Sequence, residues 1–204
     1  MSAPSFIFDE YDSFEEEDLL KRYQFLLESG ANVNETNENG ESALHVAIKN
    51  DEYKLARFLL EHGADTEVMA NYGWTVSIWS AFHGHRKDIE LLSEFGANLE
   101  VVDEGEYTPL MFACNEGDTE MVKTLLRAGA NIEATDSRGW TPLMISAMYN
   151  DEETLPVLLK TGADVNVRDN EGKTALDHVD KRATECLKLF EDDNRARLAI
   201  TKEN

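Results

Sequence analysis

GDTEMVKTLLRAGAN, residues Gly117 to Asn131, decides how the rest of the chain is read. Met121, Val122, Leu125 and Leu126 fall on one face of a helix, since positions one turn apart lie above one another. Gly129 ends that helix, because glycine takes the left-handed C-terminal conformation without a steric penalty. The Gly-Ala pair followed by Asn or Asp recurs at Gly30, Gly63, Gly96, Gly129 and Gly162, every interval being 33 residues. A second series follows ten residues later at Gly40, Gly73, Gly139 and Gly172, and is broken once, where Glu106 holds the position and Gly105 has slipped by one.

After the second glycine of each unit comes a helix start. Thr108-Pro109-Leu110 and Thr141-Pro142-Leu143 are the clearest copies, and Ser42-Ala43-Leu44, Thr75-Val76-Ser77 and Thr174-Ala175-Leu176 are weaker ones. The hydroxyl can cap the new helix, and proline at its first position gives up only an N–H that would have no partner there. A short helix of small residues follows, then the longer amphipathic one, so each unit is an antiparallel helix pair. The segment from Asn131 to Gly139, rich in Asn, Asp and Gly, reads as a turn-forming finger. One pair cannot bury its own apolar face, so the units must stack.

The Thr-Pro-Leu starts and the stretch from Gly117 to Asn131 closely resemble the ankyrin repeat, over about residues 18 to 190. The resemblance implies an all-α solenoid of stacked helix-turn-helix units, each with a projecting β-hairpin finger. The expected organisation is one domain over residues 1–204. Central repeats occupy 37–69, 70–102, 103–135 and 136–168, between an N-terminal capping repeat (1–36) and a C-terminal one (169–190), with a tail at 191–204. Atypical ends are what a finite stack needs. Residues 18–36 keep a second helix with Leu26 and Leu27, and 173–190 supply a closing pair.

Nineteen Lys and Arg oppose 41 Asp and Glu, a net charge of −22. Such a surface repels phosphate backbones and anionic lipid, so nucleic acid and membranes are poor partners and a basic protein is a good one. Acidity that merely keeps the protein soluble is the competing reading. There is no signal-like N-terminus and no apolar run of membrane-spanning length. With Cys114 and Cys186 alone, 72 residues apart, a reducing compartment and a cytoplasmic location are expected. Asn34-Glu35-Thr36 matches a glycosylation acceptor by chance.

In ankyrin proteins partners are held by the fingertips and the inner face of the first helices, and the resemblance implies the same here. The residue after the finger glycine is Glu41, Trp74, Tyr107, Trp140 and Lys173 along the stack, so three successive units present a large aromatic. Aromatic side chains of this kind anchor interfaces; equally, they could stack on one another as part of the fold. Tyr72 stands at a fingertip beside them. The ends of the first helices carry Lys49 and Asn50, Phe82 and His83, Asn115 and Glu116, Met148 and Tyr149. The candidate partner-binding set is therefore Tyr72, Trp74, Phe82, His83, Tyr107, Glu116, Trp140, Met148 and Tyr149. Carboxylates at Glu38, Glu41, Asp103, Glu104, Glu106 and Asp136, with Glu116, lie close to the same groove and suit a basic partner.

Unit 70–102 departs furthest from the pattern. Trp79 aligns with Val46, Phe112 and Ile145 and is expected in the core, with Ser93 making room for it; a unit reshaped for a ligand is the alternative. His45 is expected to brace its helix. His83 and His85 fall in an ordinary loop rather than a metal site. No phosphate loop, His-Glu-x-x-His helix, nucleophile elbow or calcium loop occurs, so no catalytic residue, metal or cofactor is assigned. The function expected is a non-catalytic adaptor or inhibitor, monomeric, that binds a basic protein. A narrower form is an immunity protein neutralising a cationic toxin enzyme, and another is a secreted effector that captures a host protein.

Overall fold

The structure, a computed structural model, describes residues 16–200, with the backbone alone for 16, 17 and 193–200. The first part of the expected N-terminal capping repeat, residues 1–15, lies outside them. Helix α1 (Glu16–Glu28) opens the stack. Helix pairs follow: α2 (Ala43–Lys49) with α3 (Tyr53–Glu61), α4 (Val76–Phe82) with α5 (Arg86–Glu94), α6 (Pro109–Asn115) with α7 (Thr119–Arg127), α8 (Pro142–Met148) with α9 (Thr154–Thr161), and α10 (Ala175–His178) with α11 (Thr184–Ile200). The first helices form one row, α2 to α10, and the second helices the other.

The helix starts are built as the sequence suggests. Thr75, Thr108 and Thr141 accept the N–H of Ile78, Met111 and Met144, each cap contributing about 1 kcal/mol. In α2 and α10 the third helical residue, His45 or Asp177, accepts the N–H of Ser42 or Thr174 in return. His45 is thus a bracing residue, buried at 3% exposure. Burial holds its pKa below the ordinary value, so it is neutral near pH 7, and its Nε2 lies toward the Trp74 backbone without a well-formed hydrogen bond. The turn between paired helices needs one left-handed residue, met by Asp51, Gly84, Gly117 and Asn150 at 33-residue spacing. Asp and Asn tolerate that region better than other side chains. Second helices close with the N–H of Ala64, Ala97, Ala130 and Ala163 returning to Leu59, Leu92, Leu125 and Leu158.

Leu44, Ile48, Leu55, Leu59, Ile78, Leu92, Leu110 and Met121 are fully buried between the rows, each removal from water being worth roughly 1.5–3 kcal/mol. The core runs through the stack without interruption beyond the second central unit, but α2 meets α4 less extensively than α4 meets α6.

The fingers differ from the hairpins that the resemblance implies. Among the described residues there is no strand, only an isolated bridge between Thr36 and Ser42. Each finger closes through two backbone bonds, as from Asp136 N–H to the Trp140 carbonyl at 3.1 Å and from Gly139 N–H to the Asp136 carbonyl at 2.8 Å. The side chain does the rest: Oδ1 of Asn37, Asp103, Asp136 and Asp169 accepts the N–H groups two and four residues on, at 2.8–2.9 Å. In these four fingers the N–H groups so held are not free to extend a ladder. Neighbouring fingers are tied in turn, the N–H of Asp65, Asn98, Asn131 and Asp164 reaching Asn34, Glu67, Glu100 and Glu133.

Candidate protein-interaction surface

The aromatic ladder is half-buried at all three positions. Trp74 packs on Phe82 at 5.1 Å and on Phe112 at 5.3 Å, and Tyr107 meets Phe112 at 5.4 Å, so these rings form one cluster across the second and third central units. Ile78 and Val101 lie buried beneath it. Trp140 stands apart, with the guanidinium of Arg138 3.9 Å above its ring and the His178 ring at 4.4 Å. Each ladder residue therefore seals a finger base while keeping part of its ring at the surface.

Tyr72 behaves differently, being 74% exposed at the tip of the second finger. Here Ala70 occupies the place of Asn37, Asp103, Asp136 and Asp169, and it has no side-chain acceptor. The chain compensates with a tighter turn. Tyr72 (φ 65°) and Gly73 (φ 72°) are both left-handed, Trp74 N–H bonds to the Asn71 carbonyl, and Asn71 N–H reaches Asn39 of the preceding finger. Two successive left-handed residues are the signature of a primed turn, and tyrosine holds that conformation only at a cost. Met69, 58% exposed, flanks the same tip.

Between the first and second fingers runs a groove of about 370 Å³. Trp74, Trp79 and His45 line its base, Ala70, Asn71 and Tyr72 one wall, and Glu41 and Lys49 the other. Trp79 is not the core residue its alignment suggests: it is half-buried, resting on the N-terminal core with the rest of its indole open to the groove. An indole is too large for the slot that Ile145 fills at 1% exposure. Ser93 does not make room for it there, since Ser93 borders a separate opening on the second-helix row with Thr124 and Arg127. Trp79 carries His83 at 4.2 Å and His85 at 4.9 Å, and His83 meets Phe82 at 5.0 Å.

The structure thus brings Tyr72, Trp74, Phe82 and His83 together around Trp79 and joins Tyr107 to them through Phe112. Glu116 and Tyr149 form a second group, both bonding Asn115 at 3.0 Å, with Tyr149 53% and Met148 46% exposed. Trp140 belongs to neither. Lys49 was not among the expected contact residues, yet its ammonium closes on Glu41 at 2.5 Å. Partial burial opposes ionisation of Glu41, but hydrogen bonds from Asn37 and Lys49 prevail and hold its carboxyl below the ordinary range.

The finger carboxylates divide by role. Asp136 is buried at 4% exposure and Asp103 half-buried, both committed to their own turns, so neither is offered to a partner. Glu38, Glu104, Glu106 and Glu116 are exposed. Segments 32–41, 65–74, 98–107, 131–140 and 164–173 together hold fourteen Asp and Glu against three Arg and Lys, an excess of eleven negative charges on the finger row.

The His83–His85 pair is a packing feature: the rings are 6.3 Å apart, and His85 Nδ1 lies 3.2 Å from Asp51 and 3.3 Å from Asp88. Asp88 sits on the second helix where equivalent units have Leu55, Met121 and Thr154, and burial pushes its carboxyl up to about 6 despite His85. No group of three or more His, Cys, Asp or Glu among the described residues is placed to hold a metal ion. Cys114 is buried, and desolvation pushes its thiol up to about 12. No described helix is long and apolar enough to cross a membrane.

The comparisons with known proteins agree with this geometry. The profile for ankyrin repeats (3 copies) matches residues 15–103, 89–169 and 110–195. Among solved structures, an ankyrin repeat domain from Acinetobacter baumannii AYE superposes with a TM-score of 0.79 at 28% identity, covering 88% of this chain and 94% of that one. A search of curated proteins found no match. Ankyrin repeats are generally protein–protein interaction modules. Period, helix pairing and matched residues share one register, and on that ground the chain belongs to the ankyrin repeat family.

Proposed function

We propose that this protein is a non-catalytic adaptor or inhibitor that captures a basic protein on its finger and first-helix face. The observation that carries the reading is the excess of eleven negative charges on the finger row, set beside aromatic and thioether side chains left in solvent at Tyr72, Met148 and Tyr149. Charge of one sign steers an oppositely charged partner and orients it, while desolvated aromatics supply the anchor. The same field disfavours nucleic acid and anionic lipid. Buried free thiols at Cys114 and Cys186 suit a monomer working in a reducing cytoplasm. Neutralisation of a cationic enzyme is the narrower form that this surface also supports.

The test is capture from the source lysate with the native chain and with two folded variants, Tyr72→Ala/Tyr149→Ala and Glu38→Lys/Glu104→Lys/Glu116→Lys. The expected result is one stoichiometric partner of high isoelectric point, lost from both variants and weakened by salt. A partner that is acidic, or that both variants retain, would overturn the reading.

A further inference from the structure

We propose that the groove between the first and second fingers recognises arginine: a guanidinium of the partner lies against Trp74 and Trp79, with Glu41 as its counter-charge. This rests on the reading of the chain as a binder of a basic protein.

The molecule supplies its own precedent. Trp140 and Trp74 are equivalent positions two repeats apart, and Trp140 carries Arg138 at 3.9 Å, the same guanidinium lying 5.8 Å from the Tyr107 ring. In the second finger the equivalent of Arg138 is Tyr72, so no internal arginine can reach Trp74 from that position. Among the described residues no guanidinium stands over Trp74 or Trp79, although Arg57 and Arg138 both stack on rings elsewhere. The second finger thus offers the partner the kind of ring that the fourth finger fills for itself.

Size and charge agree. A groove of about 370 Å³ admits one long side chain. Its base holds His45, which burial keeps neutral, so the floor does not repel a cation. Its one carboxylate, Glu41, is paired with Lys49, whose side chain is 40% exposed and anchored by that contact. An incoming guanidinium can displace it, because a planar fork bonds a carboxylate through two N–H groups and stacks on aromatic faces, which a hydrated ammonium does less well. Lys49 is then a built-in competitor that swings into solvent. Tyr72, held left-handed and outward, forms the wall that closes over the side chain.

Three tryptophans give three indole N–H signals, and Trp140 serves as the internal control. The probe is N-acetyl-arginine methylamide, titrated into the full chain and followed by ¹H–¹⁵N correlation. The expected result is saturable, millimolar movement of the Trp74 and Trp79 signals with Trp140 still. The neutral isostere N-acetyl-citrulline methylamide should bind roughly tenfold more weakly, since it keeps the shape and loses the charge. Glu41→Gln should lower arginine affinity and Lys49→Met should raise it, both folds being checked by circular dichroism. Equal movement with citrulline or with N-acetyl-norleucine methylamide would make the groove an apolar anchor and overturn the proposal. So would no movement at all, or movement of Trp140 alone. Partner capture is measured separately, so loss of the arginine effect with capture retained removes this proposal and leaves the binding module standing.

Discussion

Asp136→Ala isolates what the fingers are made of. The Asp136 side chain is wholly enclosed; Oδ1 accepts the N–H of Arg138 at 2.9 Å and of Trp140 at 2.8 Å, and Oδ2 meets the Arg138 guanidinium at 2.7 Å. Hydrogen bonds to a charged acceptor are each worth about 1.5–3 kcal/mol, and the loss leaves two backbone donors without their partner. Arg138 is half-exposed, so its ion pair adds little after solvent screening. Because the contacts share one group they do not simply add, and the expected loss is about 2–4 kcal/mol. Asp136→Asn keeps Oδ1, as Asn37 does in the first finger, and should lose only about 1 kcal/mol. Urea unfolding followed by far-ultraviolet circular dichroism reads both. A midpoint for Asp136→Ala within 1 kcal/mol of the native chain, or an Asn variant as weak as the Ala variant, would show that backbone closure rather than the carboxylate sets the turn.

Two further outcomes follow from backbone and charge. Glu106 is left-handed at φ 62° where the other fingers use Gly40, Gly73, Gly139 and Gly172, so Glu106→Gly should raise stability by about 0.5–1 kcal/mol, and a lower melting temperature would contradict it. Asp88, raised from 3.8 to about 6 with His85 and Asp51 facing it, has a folded pKa above its unfolded one. Its contribution to stability is therefore full below the unfolded value and is lost as pH rises through about 6. Asp88→Asn should accordingly be more stable than the native chain at pH 7 by about 1–3 kcal/mol, with the gap closing between about pH 6 and pH 4. Parallel stability curves across that range would refute it.

Much of the fold could be read from the chain because its signals are local. The 33-residue period, the Thr-Pro-Leu starts and the Gly-Ala stops need no knowledge of distant residues. The finger conformation was less legible. Asn37, Asp103, Asp136 and Asp169 recur at repeat spacing, but only the hydrogen bonds reveal that their side chains replace a strand ladder. Acidity misleads for a related reason: composition cannot distinguish Glu104, free in solvent, from Glu100, which accepts the Asn131 N–H. Trp79 shows the limit of alignment, which equates positions while burial depends on what each side chain must fit beside.

The candidate site was legible as a departure rather than as a motif. Unit 70–102 carries Ala70 in place of the turn-holding carboxylate or amide, a left-handed Tyr72, an oversized Trp79 and a buried Asp88 where Leu55 and Met121 stand in its neighbours. The groove beside Trp79 and the opening lined by Asp51, Lys54 and Asp88 both lie at the junction of this unit with the preceding one, where α2 and α4 meet least. Each departure costs stability by a different route: a lost acceptor, a strained backbone, an imperfectly buried ring and a desolvated charge. Units 103–135 and 136–168 keep the Thr-Pro-Leu start and the turn-holding Asp, the left-handed finger residue Glu106 being the departure that unit 103–135 shares. Local rules broken together, around one groove with aromatic walls and a carboxylate, are the pattern that the proposed binding role would leave in a stack of repeats.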